Sequence, residues 1–186
     1  MKRIIPILCF LIVLCAAGCS TVTVTDEAVG SLDLQQLKKY SWLAPQDKVA
    51  HVRAVKPEVE KLIVASVERY LAGKGLERTA TEDADFFIAW FGKVDEKVSR
   101  TSVAHFYRPY GYGALAAQHP VMVEEGAPAQ NWQEGTLILD IIDADSKAVV
   151  WRGSATDTIR GDMSADEVVV YINRSVKGLL DRFFSR

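Results

Sequence analysis

The chain has 186 residues, of which 49% are hydrophobic and 25% charged, with a net charge of −2. That length allows one domain with a tail, and that composition excludes a chain disordered throughout. The mild acidity gives no electrostatic reason to expect a nucleic-acid partner.

The first 18 residues read as a leader rather than as part of the fold. Lys2 and Arg3 make a basic start, and Ile4–Cys15 is an apolar run too short for the roughly 20 residues a spanning helix needs. The run ends in Leu14-Cys15-Ala16-Ala17-Gly18-Cys19. Small residues directly before a cysteine resemble the bacterial lipobox, although Ala16 stands where leucine is commoner. The resemblance implies that Cys19 is lipidated and becomes the first residue of the mature chain. Ser20, not aspartate, follows it, which by similarity to enterobacterial sorting implies the outer membrane, periplasmic side. The alternative is a plain signal peptide cut after Ala-Ala-Gly. With residues 1–18 removed, the mature chain holds no thiol except the lipidated Cys19. Taking Lys2 and Arg3 from the 22 basic residues leaves 20 against 24 acidic, a net of −4. Thiolate metal sites and cysteine nucleophiles are then excluded.

Residues 19–36 are expected to form the lipidated start, a tether and a first strand, because Ser20–Asp26 alternates threonine and valine. Residues 37–186 are expected to form a single domain. Leu37–Leu43 reads as a short strand stopped by Pro45, and Gln46–Val55 as a loop. Lys56–Gly75 reads as a helix, with Pro57 in its first turn, Glu58 and Glu60 at its positive end, and Gly73 and Gly75 at its close. Val59, Leu62, Ile63, Val67, Tyr70 and Leu71 make its apolar face. Phe86–Phe91 is a continuous apolar run, which fits a central strand covered on both faces.

The stretch 105–133 is long and broken by Pro109, Gly111, Gly113, Pro120, Gly126 and Pro128. Long irregular stretches in compact domains tend to be functional or disordered. Tyr107, Tyr110, Tyr112 and Trp132 are its candidate binding surface, since tyrosine and tryptophan join apolar area to a polar handle. The bland reading is that these rings fold back on the domain's own sheet or onto the membrane.

Gly135–Ile159 reads as a long hairpin turning at Asp143–Lys147. Pairing Ile142 with Ala148 places Leu137, Leu139 and Ile141 on one face with Val149, Trp151 and Gly153. The other face carries Ile138, Asp140, Arg152 and Ser154, and Arg152 is expected to pair with Asp140, the alternative being a ligand contact. Ser164 and Glu167 make a capping box for a closing helix, with Val168, Ile172, Val176, Leu179, Leu180 and Phe183 on its apolar face. The expected fold is therefore α+β: an antiparallel sheet of four to six strands with two amphipathic helices on one face.

Tyr40-Ser41-Trp42, Ala84-Asp85, Gly135-Thr136-Leu137, Asp140, Asp143-Ala144 and Trp151-Arg152-Gly153, behind a lipobox, resemble a bacterial lipoprotein family known as domain of unknown function 4136. The likeness runs from Thr21 to Phe184. It implies a Gram-negative envelope location and no assigned activity, so it brings no catalytic residues.

Signatures of chemistry are sparse. No G-x-S-x-G elbow is present, and Ser154 falls mid-strand. His51, His105 and His119 lack metal-ligand spacing, so no metal and no cofactor are expected. Asp140, Asp143 and Asp145 lack the glycine and distal glutamate of a calcium loop. The leading expectation is a non-catalytic binding or envelope-assembly module, held to the membrane by the lipid on Cys19, with an envelope protein or glycan as partner. The alternatives are a hydrolase gathering His105, Asp140 and Glu125, and a purely structural lipoprotein.

Overall fold

A computed structural model describes residues 22–28, 32–43, 53–94, 132–160 and 163–186. In chain order the elements are β1 (Thr23–Ala28), β2 (Lys39–Trp42), β3 (Arg53–Ala54), α1 (Pro57–Gly73), β4 (Glu77–Arg78), a 3-10 turn (Thr81–Asp83), β5 (Phe86–Val94), β6 (Trp132–Asp143), β7 (Val149–Arg160) and α2 (Ala165–Phe184). The fold is α+β with both helices on one face of the sheet, as expected.

The sheet is mixed rather than antiparallel throughout. Its strand order is β1-β7-β6-β5-β2-β4, with β3 also paired to β5, making seven strands. β1–β7, β7–β6 and β6–β5 are antiparallel. β2 runs parallel to both β5 and β4, and β3 parallel to β5. The reason is connectivity. The chain from β2 to β5 passes through α1, and a crossover through a helix returns a strand parallel to its neighbour. The two-residue strands β3 and β4 are too short to leave a period in the sequence, so β3 falls in a stretch read as loop.

The hairpin forms with a different register from the simple expectation. Asp140 pairs with Arg152, Leu139 with Gly153 and Ile141 with Trp151, but Ile142 pairs with Val149. A bulge between those pairs leaves Val150 as the extra residue. Val150 joins the apolar cluster under the helices, whereas Val149 pairs across to Ile142 and lies outside that cluster. Two adjacent valines hide such a bulge, because either one satisfies an apolar position. At the tip, the Asp143 carboxylate accepts hydrogen bonds from the Ser146 amide (2.7 Å) and hydroxyl (2.5 Å). Lys147 takes a left-handed backbone, with φ of 58°. The aspartate is turn chemistry, as the sequence indicates.

The core lies between the sheet and the helices. Phe86, Ile88, Trp90, Leu137, Leu139, Ile141, Trp151 and Ala155 from the strands meet Ile63, Val67 and Leu71 of α1, and Val176, Leu179, Leu180 and Phe183 of α2. Each large member withdrawn from water contributes about 1.5–3 kcal/mol of transfer free energy before chain entropy is subtracted. The capping box forms: the Glu167 amide donates to the Ser164 hydroxyl, and the Ser164 amide donates to the Glu167 carboxylate at 2.8 Å. Two hydrogen bonds from the Lys38 and Lys39 amides, both 2.8 Å, hold Asp85 at the entry to β5. These amides hold its carboxyl below the ordinary range.

The other face of the sheet is buried as well. Side chains alternate along a strand, so Phe87, Ala89 and Phe91 of β5 and Ile138 and Ile142 of β6 point away from the helices, and all are buried. β5 is therefore covered on both sides, as its unbroken apolar run indicates.

Candidate functional site

Two places concentrate polar chemistry. The first is a row across the second face of the sheet. The pairing registers align Glu27 of β1, Arg152 of β7, Asp140 of β6 and Ala89 of β5. Arg152 grips Asp140 in a two-pronged ion pair, with Nε to Oδ1 at 2.6 Å and the terminal nitrogen to Oδ2 at 2.5 Å. The side chains are 3% and 0% exposed. A parallel pair of N–H···O bonds suits the planar guanidinium and compensates part of the cost of taking both charges out of water. Ser154 sits two residues along the same face, and its buried hydroxyl makes no hydrogen bond. Both Asp140 oxygens are engaged by the guanidinium, while Glu27 lies half-buried at the β1 end of the row.

The second place is an open cleft of about 380 Å³ at the C-terminal end of α2. Leu32 and Leu34 form one wall, Val150, Trp151 and Phe183 the floor, and Asp33, Gln35 and Arg186 the rim. Its size and its few polar groups match ordinary small-ligand clefts. Trp151 is buried against Phe183 with ring centroids 5.3 Å apart, so its role is core packing beneath α2, as its position predicts. Its indole N–H donates to Asp26 at 3.2 Å. Asp26 also receives Arg186 at 2.6 Å and Arg182 at 3.4 Å. Burial pushes the Asp26 carboxyl up, but hydrogen bonds from Arg186 and Trp151, with the charges of both arginines, outweigh it and leave it below the ordinary range. One carboxylate thus ties β1 to the start of β7 and to the end of α2.

Gly153 explains the small residue in Trp151-Arg152-Gly153. A Cβ there would strike the Trp151 ring and approach Leu179 Cδ2 to 2.7 Å. Gly135 is similarly constrained, since a Cβ would run into Ile159 and come within 3.2 Å of the Tyr171 hydroxyl. That hydroxyl donates to the Gly135 carbonyl at 3.4 Å, and burial pushes its pKa up to about 12.

Of the sequence candidates, Cys19, Tyr107, Tyr110 and Tyr112 lie outside the described residues, as do His51, His105, His119 and Glu125. Trp132 opens β6, paired with Arg160. Asp140 is brought to Arg152. Among the described residues no group of three or more His, Cys, Asp or Glu is arranged to hold a metal ion. The Asp26 cluster escaped sequence reading because Asp26 lies over 120 residues from each of its partners. The cleft escaped because Leu32-Asp33-Leu34 has no periodic signal of its own.

A layered α+β domain with a mixed sheet and two helices on one face is thus the class of molecule. More specifically, the chain belongs to the family described as Domain of unknown function (DUF4136), whose model matches residues 23–183. No curated protein matches it. Among solved structures, it resembles a PDZ domain protein from Parabacteroides distasonis at 13% identity and a TM-score of 0.52, covering 87% of this chain and 35% of that one. It also resembles a DUF4136 family protein from Bacteroides thetaiotaomicron, at 12% identity and a TM-score of 0.47 over 88% and 95% of the two chains. The PelC dodecamer from Paraburkholderia phytofirmans is similar at 12% identity and a TM-score of 0.48, over 86% and 95%. These likenesses concern the fold alone.

Proposed function

We propose that the protein is a lipoprotein anchored through Cys19 to the outer membrane and facing the periplasm, and that its domain is a non-catalytic binding or envelope-assembly module. The observation that carries this reading is the run of small residues ending at Cys19, three residues before Val22, which packs on the core. The engagement of Asp140 by Arg152 supports a binding role over a hydrolytic one, because it removes the buried carboxylate a hydrolase would have used. The cleft beside Trp151 supplies surface for an envelope protein or a glycan, and Tyr107, Tyr110, Tyr112 and Trp132 are residue types that such partners favour.

The test has two arms. Intact mass and membrane fractionation should show a diacylglyceryl-modified Cys19 in the outer membrane, and Cys19→Ala should release the protein into the soluble periplasm. An unmodified cysteine in a soluble protein would rule the anchor out. Envelope proteins and glycans bound by the wild type should be lost from Tyr110→Ala combined with Tyr112→Ala; unchanged binding would remove those residues from the partner surface.

A further inference from the structure

If Cys19 carries lipid, the fold dictates which end of the domain meets the bilayer. Three peptide steps separate Cys19 from Val22, so the two lie at most about 11 Å apart. Val22 is partly buried against the core and is therefore a fixed point of the domain. β1 runs from this point toward the hairpin tip, with Thr23 opposite Thr156 and Ala28 opposite Trp151. Continuing that register sets Val22 level with Asp157, hence with Gly135 and Val94. From that level β6 and β7 extend three more residues, to Trp132 and Arg160, away from the tip. At 3.3–3.4 Å per residue this is about 10 Å. The open end of the hairpin therefore projects as far beyond Val22 as the tether can reach.

We infer that this open end, where β6 begins and β5 and β7 finish, is a lipid-facing surface, with the hairpin tip and the Trp151 cleft directed away from the membrane. The inference rests on the lipid anchor proposed above. An edge-on arrangement, with β1 lying along the bilayer, gains nothing from charge: Asp26 and Glu27 occupy the far half of that edge, and the two arginines that clasp Asp26, Arg182 and Arg186, only balance the two carboxylates. The near half offers only Val22, Thr23, Val24 and Thr25. The tip begins about 27 Å above Val22's level, at Asp143, eight residues from Gly135 along β6.

The test uses the lipidated full-length mature protein in vesicles of phosphatidylethanolamine and phosphatidylglycerol containing a lipid with a nitroxide on its headgroup. Thr23→Cys, Ala28→Cys and Ser146→Cys, all at exposed positions, each receive a fluorophore. Emission should fall strongly at Thr23, weakly at Ala28 and not at Ser146. A flexible Gly/Ser spacer of about ten residues inserted after Ser20 should restore the Thr23 emission while the protein stays on the vesicles. Equal quenching at Thr23 and Ala28, or quenching at Ser146, would overturn the orientation with the anchor intact. Protein that does not stay with the vesicles would overturn the anchor itself.

Discussion

The two faces of the sheet are both buried, but they are built differently. Beneath the helices, Trp151, Leu139, Ile88 and their neighbours pack against α1 and α2 with no charged side chain among them. On the opposite face an equally apolar set, Phe87, Phe91, Ile138 and Ile142, surrounds the fully buried Asp140–Arg152 pair. An apolar core responds to lost volume, whereas a buried ion pair responds to lost balance, and the second loss is the more severe for each atom removed.

The largest effect should follow from Arg152→Met, which leaves Asp140 charged and buried: about 3–5 kcal/mol of stability lost in urea unfolding. Adding Asp140→Leu should recover most of it, since replacing both partners with apolar residues of similar volume is often neutral. If the double variant is as unstable as the single, the two faces differ by packing and not by charge. Leu179→Ala, on the helix face, should cost about 2–5 kcal/mol, scaling with the cavity it leaves. Gly153→Ala should cost about 1–3 kcal/mol, because its Cβ is driven into Trp151. It should also disturb the Trp151 fluorescence, while a matching Gly73→Ala, where a Cβ meets nothing within 4 Å, should not. Ser164→Ala removes the cap of α2 and should cost about 1 kcal/mol.

The smallest effect concerns acid. Asp26, Asp85 and Asp181 are all held below the ordinary carboxylate range in the folded protein. For Asp181 the hydrogen bonds from Lys177 and Tyr70 are the leading causes. The unfolded chain then binds protons more readily than the folded one. Stability from these groups is complete above about pH 4 and lost as pH falls through their folded values. Asp85→Asn should flatten that part of the stability–pH profile; an unchanged slope would remove Asp85 from the account.

Much of this was legible in the sequence. Pro57, Gly73 and the Ser164–Glu167 box mark the helices because they act on neighbouring backbone groups. The hairpin was legible because its strands meet across a short turn, and the Asp140–Arg152 pair followed from placing both on one face. The parallel pairing of β2 with β5 was available in the order strand, helix, strand, but the fully apolar run of β5 fits either direction. The bulge at Val149-Val150 and the Asp26 cluster were not legible. The first is masked by like residues, and the second depends on where α2 ends relative to β1, which no local signal encodes.

Asp26 and its strand have a mechanical meaning. A pull on the chain ahead of Val22 acts along β1 and away from the tip, so the hydrogen bonds of its ladder with β7 are loaded together, in shear, and not opened one after another like a zip. Within that ladder the force meets Asp26, clasped by Arg182, Arg186 and the Trp151 indole. Tension entering at the N-terminus is thereby passed to the end of α2 and to the tip-side start of β7, sharing the load between both before the first strand can slide.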